Sequence, residues 1–264
     1  MATKGNSTSA LITQANTNKN LVTCPTNVAG QIHYLTLANI TGSIAFVNVY
    51  VRDPVLNPDP TATTGFLDPI IFKLPVHPNS TIMVTKPIAL SPGCVICVQS
   101  DRANNIRVFT SYQEYPAIPG LSIVGVGAIV DDGSNTALTS PTSAGATFDP
   151  NYVLPPYSAV PSSGIVTLFT TPANSQAIVR LNLSNLETSI DPTVAKDCNC
   201  TIKKYDSSTN TTYDFATNFP VHAQTLVMVD SPICLQSGDQ LIVKNTPNSA
   251  DLAAYASIML RPLV

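Results

Sequence analysis

Short apolar runs alternate with turn-forming residues along most of the chain. Residues 46–51 are rich in β-branched and aromatic side chains, and residues 177–183 alternate apolar with polar positions. A period of two is typical of half-buried strands, and short continuous apolar runs are typical of fully buried ones. Proline, glycine, asparagine and aspartate separate these runs at intervals of roughly ten residues. This rhythm predicts an all-β sandwich or jelly-roll.

The same pattern occurs twice. Pro-Val-His at residues 75–77 recurs at 220–222, and Leu-x-Leu-x-Asn at 35–39 recurs at 181–185. Further identities follow in the same order at offsets of 145 or 146 residues, namely Met83 with Met228, Gly93 with Gly238, and Ser111 with Ser257. Self-similarity of this kind is the signature of an internal repeat. The sequence therefore predicts two tandem β-sandwich domains, jelly-roll-like and related by internal duplication.

The limits of the repeat give the domain boundaries. We predict an N-terminal arm at residues 1–20, a first sandwich at 21–116, a linker or arm at 117–163 and a second sandwich at 164–264. Residues 117–163 are rich in proline, glycine and serine, with an apolar stretch at 123–130 that has the composition of a strand. Because long structureless loops are uncommon in compact domains, we expect a long extended arm packed on a domain or a neighbouring subunit. A mobile linker is the alternative.

One segment has helical character. Residues 249–255, Ser-Ala-Asp-Leu-Ala-Ala-Tyr, are the best helical candidate in the chain. They align with residues 104–109 of the first copy, which have the pattern of a strand. We therefore predict a strand in both copies.

Charge and hydropathy exclude several partners. The chain has 13 basic and 16 acidic residues, for a net charge of −3. Phosphate backbones are bound by clustered Lys and Arg, and only Lys203 and Lys204 adjoin here, so we expect no nucleic-acid partner. No apolar run suits a membrane helix and no stretch is basic and amphipathic, so we expect no membrane partner. The first residues lack the apolar segment of a signal peptide, and we expect the six cysteines to be reduced.

Three histidines, His33, His77 and His222, are candidates for catalytic groups. His77 and His222 occupy the same position of the repeat, after a Pro-Val pair. This placement allows a duplicated catalytic histidine, but no Gly-x-Ser-x-Gly or Cys-His signature accompanies it. We interpret both as turn-facing or interface histidines at strand ends.

Two cysteine pairs have spacings that metal sites use. Cys94 and Cys97 are three apart in an apolar run, which on a strand places the thiols on opposite faces, whereas a zinc knuckle needs a turn between them. Cys198 and Cys200 share one face, but no second pair lies at zinc spacing. We interpret the first pair as core residues and expect no metal at the second, whose oxidation outside the cell stays open.

The acidic residues are mostly aspartates next to proline or glycine, as turn chemistry favours. Only Glu114 and Glu187 are glutamates and tryptophan is absent, so paired carboxylates beside a sugar platform are disfavoured. Residues 131–135 resemble a calcium loop only loosely, since the spaced ligands and the final glutamate are missing. Gly-Val-Gly at 125–127 is too short for a nucleotide loop. We predict no catalytic residue, no metal and no cofactor, and a function that is not enzymatic.

Each repeat resembles a small β-domain of bacteriophage structural modules. The shared motifs are a Pro-x-Asn turn, a Leu-x-Leu-x-Asn strand, a Leu-x-x-Gly-Asp turn before a valine-rich strand, and a final serine-bearing strand. They stand here at residues 25–27, 35–39 and 235–239 and at Ser111, with a second Pro-x-Asn at 172–174. The first copy departs from the pattern at Cys94, where the motif has aspartate. The resemblance does not cover the central arm.

The resemblance implies a structural protein of a tailed-phage virion that is assembled in the host cytoplasm. Our first expectation is a capsid cement or decoration protein, which stabilises the shell by bridging capsid subunits. Its partners would be the major capsid protein or other virion proteins, and we expect a homo-oligomer. Two linked domains give bivalent attachment, and an arm can add a strand to a neighbour's sheet. The alternatives are a tail, neck, baseplate or fibre protein, and a host-receptor or glycan-binding module.

Overall fold

The structure is a computed structural model, and it describes residues 4–52, 67–116, 122–130, 164–187, 195–246 and 251–263. These residues form eighteen β-strands and no helix. All strand pairs are antiparallel. Antiparallel sheets can pack one face on a core and leave the other in water, which explains the alternating pattern of the sequence. The all-β prediction and the two tandem sandwiches are confirmed.

The first domain is a sandwich of two sheets. Its strands are β1 Lys4–Leu11, β2 Lys19–Thr23, β3 Val28–Asn39, β4 Ala45–Arg52, β5 Leu67–Val76, β6 Thr81–Val84, β7 Ile88–Leu90, β8 Val95–Ser100 and β9 Ile106–Pro116. Sheet 1a has the order β1-β9-β3-β6, with β7 also paired to β3, and sheet 1b has the order β2-β8-β4-β5. The apolar core of this domain lies between the two sheets.

The second domain repeats this arrangement. Its strands are β10 Ser122–Val130, β11 Ile165–Thr170, β12 Ser175–Asn185, β13 Cys198–Asp206, β14 Thr211–Val221, β15 Leu226–Met228, β16 Ile233–Leu235, β17 Gln240–Asn245 and β18 Leu252–Pro262. Sheet 2a has the order β10-β18-β12-β15, with β16 also on β12, and sheet 2b has the order β11-β17-β13-β14. Strand for strand this is the topology of the first domain. Of the strand predicted at residues 249–255, Leu252 to Tyr255 lie in β18, and residues 249–250 lie outside the described residues.

Each domain includes a strand from a segment that the sequence assigned to an arm. Strand β1 lies within residues 1–20 and pairs with β9 along its whole length, and β10 lies within residues 117–163 and pairs with β18 in the same way. The polar sequence of β1, an exposed edge strand, gives no apolar alternation to detect. The strand expected at residues 123–130 is present. Residues 131–163, the rest of the expected central arm, lie outside the described residues.

A buried asparagine links the two sheets in each domain. In the first, Asn39 Nδ2 donates to the carbonyl oxygens of Val76 (2.9 Å) and Ser43 (2.7 Å). In the second, Asn185 Nδ2 donates to the carbonyl oxygens of Val221 (3.0 Å) and Lys196 (2.9 Å). The bonds to Val76 and Val221 satisfy carbonyl groups that lie in buried surroundings. The repeated Leu-x-Leu-x-Asn motif is therefore a strand that ends in a cross-sheet clip.

A glycine turn precedes β8 and β17 at equivalent positions. Gly93 and Gly238 have φ of 82° and 81°, in the left-handed region that glycine adopts without strain. Their N–H groups donate to the carbonyl oxygens of Cys24 (3.1 Å) and Thr171 (3.0 Å). The repeated Leu-x-x-Gly motif is thus explained by backbone geometry alone.

The repeat offset also changes within the third strand of the fold, from 147 to 146 residues, and this change has a structural cause. The register of β3 against β9 shifts between Ile32 and Tyr34, which makes His33 the extra residue of a β-bulge. Strand β12 pairs with β18 without a shift. Equivalent residues are therefore 147 apart before the bulge, as in Ile32 and Val179, and 146 apart after it.

Candidate functional site

The described residues contain no cluster of three or more His, Cys, Asp or Glu side chains that could hold a metal ion. They also contain no helix long and apolar enough to span a bilayer. The acidic loop at residues 131–135 lies outside the described residues. The search for a site therefore turns to the individual histidines, cysteines and acids, and then to surfaces.

Both repeat-equivalent histidines lie in turns, as the sequence suggested. The carbonyl oxygen of His77 accepts a hydrogen bond from Ser80 Oγ, and that of His222 accepts one from Thr225 Oγ1, each at 2.7 Å. Their imidazoles are exposed. The imidazole of His222 also contacts an acid: its Nδ1 lies 2.8 Å from Asp197 Oδ2. That hydrogen bond, together with one from the Ala223 N–H, holds the pKa of Asp197 below its ordinary value.

Five of the six cysteines are buried, and all six are free. Burial raises the pKa of Cys24 to about 12 and that of Cys200 to about 11, and it also raises the pKa of Cys97 and Cys198. Thiols with raised pKa values are protonated at neutral pH and are poor nucleophiles and poor metal ligands. The interpretation of the Cys94–Cys97 pair as core residues agrees with this burial. Cys234 alone is exposed.

Asp239 is a buried carboxylate with a complete set of donors. Its oxygens accept the backbone N–H groups of Ser207 (3.0 Å) and Gln236 (2.8 Å) and lie 2.9 Å from Lys204 Nζ. Burial raises its pKa, but the Gln236 N–H and the Lys204 ammonium outweigh that effect and hold the pKa below its ordinary value. An ionised carboxylate with all its partners inside the fold has a structural role, because it offers no free oxygen to a substrate.

The two domains meet in an interface that we call the domain joint. The outer face of sheet 2a contacts β5 and β7 of the first domain. Tyr255 crosses the joint from β18: it is 1% exposed, it belongs to the apolar core of the first domain, and its hydroxyl donates to the carbonyl oxygen of Ala89 at 2.6 Å. The N–H of Ala89 in turn donates to Ser257 Oγ at 2.9 Å.

Further polar contacts surround this centre. Two more backbone N–H groups donate to serine hydroxyls across the joint, and one ion pair joins the domains: Gly125 N to Ser91 Oγ (3.3 Å), Phe72 N to Ser184 Oγ (3.1 Å), and Lys86 with Asp230. Every hydroxyl here pairs with a backbone group, so burial leaves these groups satisfied. The joint therefore combines an apolar anchor with a matched polar frame.

Gly125 permits the close approach of the two backbones in the joint. A Cβ at this position would lie 1.9 Å from Tyr255 Oη and 2.6 Å from the carbonyl oxygen of Ala89. Both distances are far below van der Waals contact. In the sequence Gly125 stood out only as part of a possible nucleotide loop, and its role in the fold is to let β10 pass Tyr255.

Sequence patterns did not predict the domain joint, although the residues of β18 indicate a strand that is covered on both faces. Leu252 to Ile258 are buried at every position, with Tyr255 and Ser257 facing the joint and Ala254, Ala256 and Ile258 facing the core of their own domain. A strand whose successive residues are all apolar or small is typical of a strand covered on both faces. The pattern indicates burial, but it does not identify which neighbour covers the second face.

Large apolar side chains remain exposed on each domain. On the first domain Met83 is 50% exposed and Phe109 is 40% exposed. On the second, Ile178, Tyr213 and Phe215 are 40%, 50% and 43% exposed. Such groups on a β-sandwich surface are candidate sites of protein contact.

No protein-family model and no curated protein matches this sequence. Among solved structures, the chain is similar to a peptide-N(4)-(N-acetyl-β-D-glucosaminyl)asparagine amidase, with 11% identity, a TM-score of 0.40 and coverage of 99% of this chain and 97% of that one. It is also similar to the tandem CBM22 domains of Paenibacillus barcinonensis Xyn10C, with 10% identity, a TM-score of 0.28 and coverage of 98% and 91%.

A third similar structure is a protein with a triple jelly-roll fold from the turret assembly of an archaeal virus. The identity is 11%, the TM-score is 0.25, and 97% of this chain is matched to 59% of that one. A viral jelly-roll protein is thus among the structural neighbours, beside the tandem CBM22 domains and an amidase. At these identities and scores the likenesses identify no function.

Proposed function

We propose that this chain is a non-enzymatic structural protein of a tailed-phage virion, and that it acts as a capsid cement protein bridging subunits of the shell. The observation that supports this proposal is the division of roles on its surface. The titrating groups described above serve turns, the core or internal ion pairs, whereas large apolar side chains are exposed on both domains.

The domain joint makes this arrangement suitable for bridging. Because Tyr255 is buried in the core of the other domain, the two sandwiches are held together through more than a flexible connection. Two binding surfaces fixed on one body engage neighbouring subunits with a high effective concentration, which raises the overall affinity without strengthening either contact. The mechanism is buried area across subunit joints, and it requires no reacting group.

The test uses virions that lack this protein. Particles from a deletion strain are heated, or diluted rapidly from high salt, and surviving infectivity is compared with that of wild-type particles. We expect the deleted particles to lose infectivity at lower temperature, and purified protein added back should restore resistance. Unchanged resistance would refute the cement function.

Two controls separate this proposal from its alternatives. A copy number far below that of the shell subunits would place the protein in the tail, neck, baseplate or a fibre. Retention of the isolated protein on host cells would indicate receptor or glycan binding. The variant His77→Ala/His222→Ala should restore resistance as fully as the wild type, because no catalytic step is involved.

A further inference from the structure

The domain joint uses one surface from each half of a duplicated chain. The second domain contributes what we call the docking face, the outer face of sheet 2a with Gly125, Met228, Tyr255 and Ser257. The first domain contributes the receiving face, formed by β5 and β7 around Ala89. Since both domains have the same topology, each possesses both faces. One docking face and one receiving face are therefore left over in every chain.

The unused docking face of the first domain keeps two of the residues that make the joint and replaces others. Met83 is the equivalent of Met228, and Ser111 is the equivalent of Ser257, with the same residue type in each pair. Phe109 stands where the second domain has Tyr255. Met228 packs against the core of the first domain, whereas Met83 is 50% exposed and Phe109 is 40% exposed. Within the first domain Phe109 packs edge-on against Tyr34, with the ring centroids 6.2 Å apart, and this packing still leaves Phe109 40% exposed.

The unused receiving face of the second domain is likewise apolar and uncovered. Cys234 is the equivalent of Ala89 and is exposed, although Ala89 is 1% exposed inside the joint. Phe215 is the equivalent of Ile70 and is 43% exposed, compared with 1% for Ile70. These positions are covered in one domain and bare in the other.

The substitutions at the two unused faces compensate one another in size. In the joint, the small Ala89 packs with the large Ile123. At the unused faces the larger Cys234 would meet Gly5. Gly5 has the same register position in β1 that Ile123 has in β10, and a Cβ added to Gly5 would meet no atom within 4 Å. Ser7 replaces Gly125, and Phe109 lacks the hydroxyl that a Cβ at that place would approach to 1.9 Å, although its ring keeps the Cζ that lies at 2.8 Å in the joint.

We propose that copies of this chain associate head to tail, with the docking face of the first domain of one copy covering the receiving face of the second domain of the next. The contact repeats the geometry of the domain joint between molecules. Such a contact is heterologous, so it closes into a ring or continues as a filament according to the rotation it imposes. The inference does not rest on the proposed function, because it compares only the two halves of the chain.

One difference makes the contact between copies weaker than the joint. A Cβ at Gly125 would also lie 2.6 Å from the carbonyl oxygen of Ala89, and Ser7 brings such a Cβ toward the equivalent carbonyl of Cys234. The two backbones must therefore stand further apart, and Phe109 forms no hydrogen bond there. A reversible association that depends on concentration is the expected result.

Cysteine cross-linking tests the register directly. In the joint, Ser257 Oγ lies 2.9 Å from the backbone nitrogen of Ala89, so Ser111→Cys should bring a thiol next to Cys234 of the adjoining copy. Mild oxidation of this variant should give a ladder of covalent dimers, trimers and larger species on a denaturing gel. Cys234 is the only exposed native thiol, which keeps the reading simple.

Two matched variants control the experiment. Ser111→Cys/Cys234→Ser should lose the ladder, and Thr26→Cys, which places an exposed thiol on another turn, should not form one. Absence of the ladder in Ser111→Cys, or the same ladder in the variant without Cys234, would overturn the proposal.

A double-mutant cycle on the non-oxidised protein gives an independent test by sedimentation equilibrium. Phe109→Tyr alone should weaken association about tenfold, because the new hydroxyl strikes the Ser7 Cβ. Ser7→Gly/Phe109→Tyr recreates the residues of the joint and should strengthen association about tenfold relative to the wild type, because the hydrogen bond to the Cys234 carbonyl can form. If Phe109→Tyr had the same effect in the wild-type chain and in the Ser7→Gly variant, the proposed contact would be contradicted.

Discussion

Gly125→Ala should weaken the domain joint at Tyr255. The added methyl group would lie 1.9 Å from Tyr255 Oη and 2.6 Å from the carbonyl oxygen of Ala89. To relieve the first contact, Tyr255 must give up its hydrogen bond to that carbonyl. To relieve the second, β10 must move away from β7, because a backbone oxygen cannot rotate aside.

The magnitude follows from these two consequences. Overpacking of this kind costs about 1–3 kcal/mol, and loss of a buried hydrogen bond that leaves a carbonyl unpaired costs about 1–3 kcal/mol. We expect a loss of roughly 3 kcal/mol in the free energy of unfolding. Tyr255→Phe alone removes the hydrogen bond and should cost about 1.5 kcal/mol.

The combination of the two changes tests the geometry. In Gly125→Ala/Tyr255→Phe the contact at 1.9 Å no longer exists, although the contact of 2.8 Å with Cζ of residue 255 remains, so the double variant should be no less stable than Gly125→Ala alone. The measurement is urea unfolding followed by circular dichroism, since the chain has no tryptophan to report by fluorescence. Gly42→Ala is the matched control, because a Cβ at Gly42 would meet nothing within 4 Å. A cost below about 0.5 kcal/mol for Gly125→Ala, or simple additivity, would refute the reasoning.

Two further predictions concern the repeat motifs and the thiols. Asn39→Ala and Asn185→Ala should each cost about 2 kcal/mol in urea unfolding, because each removes the donor to one buried carbonyl and one half-buried carbonyl. Lys196→Ala should cost less than about 0.5 kcal/mol because its carbonyl still accepts. Similar costs for the asparagine variants and for this control would contradict the role of the asparagines. A thiol-reactive chromophore should titrate one cysteine, Cys234, in the native protein and six after denaturation, and rapid reaction of a second thiol in the native state would show that the buried pairs are accessible.

The sequence predicted the two-domain fold because the repeated residues have strict backbone duties. Gly93 and Gly238 need the left-handed conformation, and Asn39 and Asn185 need to reach two carbonyls at once. Such requirements are the same in both copies, so the residues are identical and the repeat can be detected. The repeated Pro-Val-His motif likewise predicted that His77 and His222 lie at turns.

Sequence patterns did not predict the position of β1 or the existence of the domain joint. Strand β1 is a polar edge strand whose pairing partner is specified by β9, more than ninety residues away in the chain. Gly125 matters only because Tyr255 passes beside it, and the two residues are 130 positions apart. Periodicity reports whether a face is covered, but it carries no information about which distant surface covers it.

Where the two copies differ, the differing residues report their surroundings. At the position before β8 and β17, the first domain has Cys94 and the second has Asp239, both buried. Asp239 forms an ion pair with Lys204. Lys204 pairs with Leu241, and Val51 pairs with Ile96, the repeat equivalent of Leu241. Val51 is therefore the counterpart of Lys204 in the first domain. The second domain therefore places a lysine beside its aspartate at a position where the first domain has a valine.

This difference predicts opposite pH responses for a carboxylate at the same place in the fold. The pKa of Asp239 is held below its ordinary value, so its stabilising contribution is present at neutral pH and disappears as the pH falls through the folded-state pKa. Cys94→Asp would bury a carboxylate beside Val51 instead of a lysine, which should raise its pKa, cost roughly 3 kcal/mol at about pH 7 and cost less at about pH 4. Adding Val51→Lys should recover most of that loss. Urea unfolding at both pH values measures these terms, and a Cys94→Asp variant as stable as the wild type at neutral pH would show that the partner of Asp239 does not determine which residue the position tolerates.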